Sequence, residues 1–268
     1  MVRLATLALA LGLVGLAGPA SAAVDVDLEL VLAVDVSRSM DLDEQTLQRD
    51  GYVAAFRHPD VIQAIRSGAA GRIAVTYMEW SGPSYQHVLV PWTIVGNRAE
   101  AERFAALLAQ APMAREFGTS ISGGLQAAAG LFGSSGARPF RQVIDVSGDG
   151  PNNMGLPVTM MRDQVIEQGI AINGLPIVLH SDGAYSLFNI PDLDLYYRDC
   201  VIGGPGAFMV TVDDTNGFEK AIRRKLVLEI SGLTPRLMPA AEILRPASEA
   251  DCLIGEKKRQ QWMNPSIK

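Results

Sequence analysis

Residues 29–39 read ELVLAVDVSRS. From Glu29 to Val36 the run is almost continuously apolar, which suits a strand buried on both faces of a parallel sheet. It leads into Asp35-Val36-Ser37-Arg38-Ser39, a carboxylate and two hydroxyls at alternate positions. In a segment still extended as it leaves a sheet, alternate side chains point the same way. Ligands of open α/β sheets sit outside the carboxyl ends of the strands. The segment therefore puts three oxygen-bearing side chains where such a sheet keeps its site.

The flanking sequence alternates helical and strand patterns. Residues 43–56 have apolar positions at helical spacing, with Asp41 or Asp43 as the cap and Pro59 just past the end. Residues 72–80 and 86–95 read as strands joined by a short Ser-Gly-Pro-Ser turn, hence an antiparallel hairpin. Pro91 fits an edge position in the second of them. Helices are expected over 99–108 and 119–132, the latter with Ile121, Leu125, Ala128 and Phe132 on one face. A fourth strand covers 142–147, a helix 158–168 ending at Gly169, and a fifth strand 170–179. Residues 192–201 read as helical, 207–212 as a sixth strand and 217–230 as the last strong helix. The prediction is an α/β fold over residues 23–230: a doubly wound, mostly parallel six-stranded sheet, one antiparallel edge strand, helices on both faces. Residues 231–268 carry four prolines and no strong periodicity, and are expected to pack on the domain as an extension.

Residues 1–22 have one positive charge at Arg3, a Leu/Ala/Val/Gly run, Gly18-Pro19 and an A-x-A site. This is the layout of a secretory signal cleaved after Ala22. The rival reading, a membrane anchor, suits the short run less well. Export implies a periplasmic or secreted protein with no stable membrane insertion after cleavage. In that oxidising compartment Cys200 and Cys252 are expected to pair, the alternative being two separate buried thiols. Closing a loop of roughly fifty residues would contribute on the order of 3–4 kcal/mol in the chain-entropy model.

Composition narrows the function. The 268 residues are 48% hydrophobic and 19% charged, an ordinary globular balance. The net charge is −6, which gives no global attraction to nucleic acid or anionic lipid. Two cysteines and three histidines leave no material for a Cys-rich zinc module or a multi-His metal site.

Two further segments carry oxygens. Gly118-Thr119-Ser120 opens the helix containing Ile121, and the fourth strand runs into Ser147-Gly148-Asp149-Gly150, whose glycines allow a sharp turn that presents Asp149. Carboxylates and hydroxyls without Cys or His select a hard cation such as Mg²⁺ (or Mn²⁺). D-x-S-x-S after the first strand, Gly-Thr-Ser opening a mid-chain helix and a strand ending in Gly-Asp-Gly together resemble the von Willebrand factor type A (vWA) domain. The antiparallel third strand matches as well, and the resemblance spans about residues 26–230. It implies a metal-ion-dependent adhesion site. Asp35, Ser37 and Ser39 would form its first loop, Thr119 its second and Asp149 its third. Ser37, Ser39 and Thr119 would ligate directly, Asp35 and Asp149 directly or through water. The stretch 197–208 (YRDCVIGGPGAF) is not a general feature of that family and suggests a secreted bacterial branch.

Each piece has an ordinary reading. Asp35 to Ser39 could be a strand end and helix cap, Thr119 an N-cap, Asp149 a plain turn. Joint occurrence, in order and at strand ends, favours the cation site. Asp41, Asp43 and Glu44 could hold a second cation, but acids at a helix start more often favour the helix dipole. His58, His87 and His180 read as a helix end, a strand face and a loop, Trp80 and Trp92 as packing residues, and 257–259 (KKR) as a solvated charge run. Asp145 lies inside the apolar fourth strand, its partner undetermined by sequence. No G-x-S-x-G, H-E-x-x-H or P-loop pattern occurs. The expected function is a non-enzymatic exported module whose cation takes an Asp or Glu of a partner protein or peptide. The alternatives are a Mg²⁺- or Mn²⁺-dependent phosphoesterase and a metal-free interaction scaffold.

Overall fold

A computed structural model of the chain describes residues 23–179, 188–233 and 249–264. The expected leader and His180 lie outside the described residues.

The central strand β2 (Leu28–Asp35) is buried at every position. Leu28, Leu30, Leu32 and Val34 face one core, Val31 and Ala33 the other. This is the two-sided burial that an uninterrupted apolar run predicts. On one side β2 pairs in parallel with β3 (Ile73–Trp80), which pairs antiparallel with the edge strand β4 (Gln86–Val95). On the other side β2 pairs in parallel with β6 (Gln142–Gly148), and β6 with β7 (Ala171–Pro176). The order is β4-β3-β2-β6-β7. A short parallel pair, β1 (Val24–Val26) with β5 (Ala137–Pro139), lies apart from this sheet. The β3–β4 register shifts opposite Pro91, where the missing N–H costs an edge strand nothing.

Helices α1 (Leu42–Arg57), α2 (Pro59–Arg66), α3 (Arg98–Gln110) and α7 (Phe218–Ser231) cover the Leu30 face. The Val31 face is covered by α4 (Ile121–Leu131), α5 (Val158–Glu167), the single turn α6 (Leu193–Tyr196) and a π-helical turn, Tyr197–Val201. Trp80 is fully buried there, and Trp92 packs half-buried against Phe132.

One expectation is corrected, and two helices appear that the sequence did not announce. The sheet has five strands, not six: residues 207–212 run beside β7 with only isolated bridges at Met209 and Val212. Pro176 in β7 has no N–H, and the Phe208 amide donates to the Asn173 side chain (3.0 Å) instead of to backbone, so no continuous ladder forms. Pro59 does not merely follow a helix but opens α2 as its first residue, with His58 Nδ1 capping the Asp60 amide at 3.1 Å. The C-terminal extension contains an unexpected helix, α8 (Ile254–Met263).

The partner of Asp145 is now identified. Asp145 is buried in β6 and forms an ion pair with Lys225 of α7 at 2.5 Å, and Lys225 also contacts Glu229. Glu229 accepts a further hydrogen bond from Asn173 Nδ2 at 3.1 Å. A buried cation thus joins β6 to α7 between two acids.

Candidate functional site

The chain runs from β2 out to β3 on one side, while β6 and β7 lie on the other. The carboxyl ends of β2 and β6 therefore flank the point where the winding reverses, the usual ligand crevice of an open α/β sheet. Asp35 is the last residue of β2, and Asp149 directly follows β6.

Asp35 is fully buried, and its Oδ1 accepts from the Ser37 amide at 2.7 Å. Ser37 Oγ and Ser39 Oγ are 2.7 Å apart, and Ser39 Oγ donates to Asp149 Oδ1 at 2.6 Å. Asp35 Oδ2 is buried with no hydrogen-bond partner. Thr119 faces the same place: it lines, with Ser37 and Ser39, a recess of about 30 Å³, room enough for a water-sized ligand. The sheet end thus brings together all five oxygen-bearing residues picked out in the sequence.

The supporting shell fixes these loops. Glu116 N donates to Val36 O at 2.9 Å, which lays the segment before Thr119 along the Ser37 loop. Arg115 braces the same loop through Met40 O and Arg38 O, both at 3.1 Å. Arg49, paired with buried Glu79, donates to Ala111 O (2.7 Å) and Pro112 O (3.1 Å). Gln48 Nε2 donates to Ser147 Oγ at 2.8 Å, tying α1 to the end of β6.

The two capping readings fail on particulars. The cap of α1 is Asp41, which forms a reciprocal capping box with Glu44, so Asp35, Ser37 and Ser39 are not needed there. The cap of α4 is Ser120, whose Oγ accepts from Gly123 N at 3.1 Å, which leaves the Thr119 hydroxyl free of that role.

Electrostatics at the site are unfavourable as they stand. Burial, and then the neighbouring Asp149 charge, push the Asp35 carboxyl well above the usual range. Burial pushes Asp149 up to about 7, with the Glu44 charge adding and the Ser39 hydrogen bond opposing. A buried and a half-buried carboxylate side by side favour either protonation or a compensating positive charge. Among the described residues no three Asp, Glu, His or Cys side chains converge as a metal site. The donor set here is two carboxylates plus three hydroxyls, which fits a hard cation that keeps part of its water shell.

The family model described as "Protein of unknown function (DUF1194)" matches residues 25–234. The chain belongs to the DUF1194 family. Solved structures extend the comparison of this DUF1194 chain. The open pilus adhesin SpaC from Lactobacillus rhamnosus GG superposes with a TM-score of 0.55 at 15% identity, over 78% of this chain and 30% of the adhesin. Proximal thread matrix protein 1 from the mussel byssus, with a zinc-occupied MIDAS motif, gives 0.51 at 12%, over 78% and 47%. The vWF domain of the type V pili tip protein Mfa5 from Porphyromonas gingivalis gives 0.50 at 11%, over 80% and 98%. At such identities the likeness shows the fold, and the DUF1194 fold is that of a vWA domain. The chain spans less than half the length of the first two proteins. No curated relative matches the sequence.

Sequence reasoning missed several neighbours of the site. Asn153 Oδ1 accepts from the Thr119 amide at 3.1 Å, and Asn152 Oδ1 from the Ser122 amide at 3.1 Å. Both follow the Gly-Asp-Gly-Pro turn directly, and that proximity was a usable signal. The buried Tyr197 hydroxyl is held protonated by burial and by the charges of Asp35 and Asp149. Phe117, Phe188 and Arg259 also line the recess, and nothing in the sequence marked them.

Cys200 and Cys252 form a disulfide, with Cα atoms 5.5 Å apart. It holds the start of α8 beside the π-helical turn. Among the described residues no helix is long and apolar enough to cross a membrane.

Proposed function

We propose that this chain is an exported binding module that holds one divalent cation, Mg²⁺ or Mn²⁺, through Asp35, Ser37, Ser39, Thr119 and Asp149. The cation presents an open position to an Asp or Glu of a partner protein or peptide. The observation that carries this reading is the buried Asp35 and the half-buried Asp149, linked through Ser37 and Ser39, with Asp35 Oδ2 lacking any partner. A vWA-fold neighbour with a zinc-occupied MIDAS motif and pilus adhesin neighbours support it at the level of the fold.

When bound, the cation would supply an electrophilic centre for an anionic oxygen. The chain's own residues do the rest: two carboxylates, directly or through water, offset part of the charge, and three hydroxyls add ligands without further charge. A cation so sparsely neutralised keeps its attraction for an outside carboxylate. The module acts by binding, not turnover.

Calorimetric titration of chelator-stripped protein with Mg²⁺ and Mn²⁺ tests the metal. Saturable binding is expected in the wild type and none in folded Asp35→Ala. Mn²⁺-dependent phosphatase turnover that disappears in Asp149→Ala would overturn the binding-module reading.

A further inference from the structure

The recess beside Ser37, Ser39 and Thr119 has one wall from outside the vWA core. Arg259 of α8 lines it together with those three, and so does the exposed Arg38 of the first loop. Its neighbours on α8 are engaged: Glu256 accepts from Asn152 Nδ2 at 2.7 Å, Lys257 pairs with Asp251 at 2.7 Å, and Lys258 donates to Asn189 O at 3.1 Å. Arg259 is half-buried and forms no hydrogen bond or ion pair among the described residues.

The position of α8 is fixed, not incidental. The Cys200–Cys252 disulfide anchors its start, and Ala250 N donates to Asp199 Oδ2 at 3.0 Å. Gly255 sits so close to Asn152 O that a Cβ there would collide with the carbonyl. Asn152 and its neighbour Asn153 belong to the loop that follows Asp149 and steadies Thr119. Helix and metal loop are therefore held as one piece. A guanidinium presented this way is suited to a second carboxylate, which its planar fork can grip with two hydrogen bonds.

We propose that Arg259 is a second anion-binding point of this site, so that the preferred ligand carries two carboxylates, one for the cation and one for Arg259. This rests on the metal-site reading above and adds a requirement that reading does not contain. A partner offering a lone acidic side chain would bind weakly, and one offering a closely spaced acidic pair would bind well.

The test uses full-length mature protein loaded with Mn²⁺ and titrated with butyrate, succinate, glutarate and adipate, followed by the water-proton relaxation of the bound Mn²⁺. In the wild type the best-fitting dicarboxylate is expected to bind about tenfold tighter than butyrate, the worth of one charge-assisted contact. In Arg259→Gln that advantage falls to within about twofold, while the affinities for Mn²⁺ and butyrate hold. A wild type that prefers no dicarboxylate, or an advantage that survives in Arg259→Gln, overturns the proposal and leaves the metal site standing. An equal loss of butyrate binding in Arg259→Gln also overturns it, since that marks a general field effect. Failure of the wild type to bind Mn²⁺ at all overturns the metal-site reading, and this proposal with it.

Discussion

Ser39 Oγ donates to Asp149 Oδ1 at 2.6 Å across 110 residues of chain, and this bond joins the loop after β2 to the loop after β6. It is the last link of a series running from Asp35 through Ser37 and Ser39. Such a series keeps the oxygens converged at the cost of holding two carboxylates near each other. On the proposed reading, a bound cation relieves that cost.

Asp149→Asn tests that trade directly. The substitution removes the half-buried one of two neighbouring carboxylates, so the chelator-treated variant should be at least as stable as chelator-treated wild type. With Mn²⁺ at a hundred times its Kd, the wild type should gain about 2.7 kcal/mol. The variant should gain nothing. Thermal unfolding with EDTA and with Mn²⁺ reads both effects in one experiment.

The disulfide makes a separate prediction. Cys200 and Cys252 are 52 residues apart, and closing a loop of that length removes unfolded-state freedom worth about 4 kcal/mol. Cys252→Ser should lower stability by an amount of that order, measured by denaturant unfolding under non-reducing conditions. Treatment of the wild type with reductant should reproduce the loss, and reductant should leave the variant unchanged. Mn²⁺ affinity should stay close to wild type, because none of the five oxygen-bearing residues lies on α8.

The buried triad between β6 and α7 sets a pH dependence. Burial, and then the charge of Asp145, raise Glu229 from 4.5 to about 8, against the pull of Lys225 and Asn173. Arg141 donates to its backbone carbonyl at 3.0 Å, and Tyr52 faces the same charges. A raised folded-state pKa means that the fold holds a proton the unfolded chain has released. That contribution is complete below about pH 4.5 and is lost as pH rises through about 8. Wild-type stability should therefore fall across that window. Glu229→Gln copies the protonated form, so it should match wild type near pH 5 and exceed it near pH 9. Lys225→Met, which strands two buried acids, should cost about 3–5 kcal/mol. Urea midpoints across pH decide both.

What the sequence made legible follows its physics. β2 and β4 could be bounded closely because apolar runs and a hairpin turn leave local marks. That Asp35, Ser37, Ser39 and Asp149 meet at one sheet end was legible because D-x-S-x-S and Gly-Asp-Gly sit next to strands whose direction is already known. Helix α2 was hidden because a proline after a helix reads as a stop, whereas Pro59 is a start. Helix α8 was hidden because it has no apolar stripe: only Gly255 is buried, and side-chain bonds and a disulfide hold it. Arg259 was illegible for the same reason, since the docking of α8 is what carries it to the recess. The sixth strand was predicted from its composition, but a ladder also depends on the partner, and Pro176 withholds a donor.

Gly124 gives the last prediction, because two effects oppose each other there. In an exposed helix, glycine to alanine stabilises by up to about 1 kcal/mol. A Cβ at Gly124, however, would lie 2.9 Å from Trp80 Cγ, with the next ring atoms at 3.0 and 3.2 Å. Trp80 is fully buried at the end of β3, beside β2 and under α4, so the ring has no space to retreat. Overpacking of this kind costs about 1–3 kcal/mol and should win. Gly124→Ala is expected to be destabilising. Gly130 lies on the same helix, and a Cβ added there would meet nothing within 4 Å, so its substitution by alanine should show the ordinary gain. Equal gains at both positions in denaturant unfolding would show that α4 does not rest on the Trp80 ring as tightly as the structure has it.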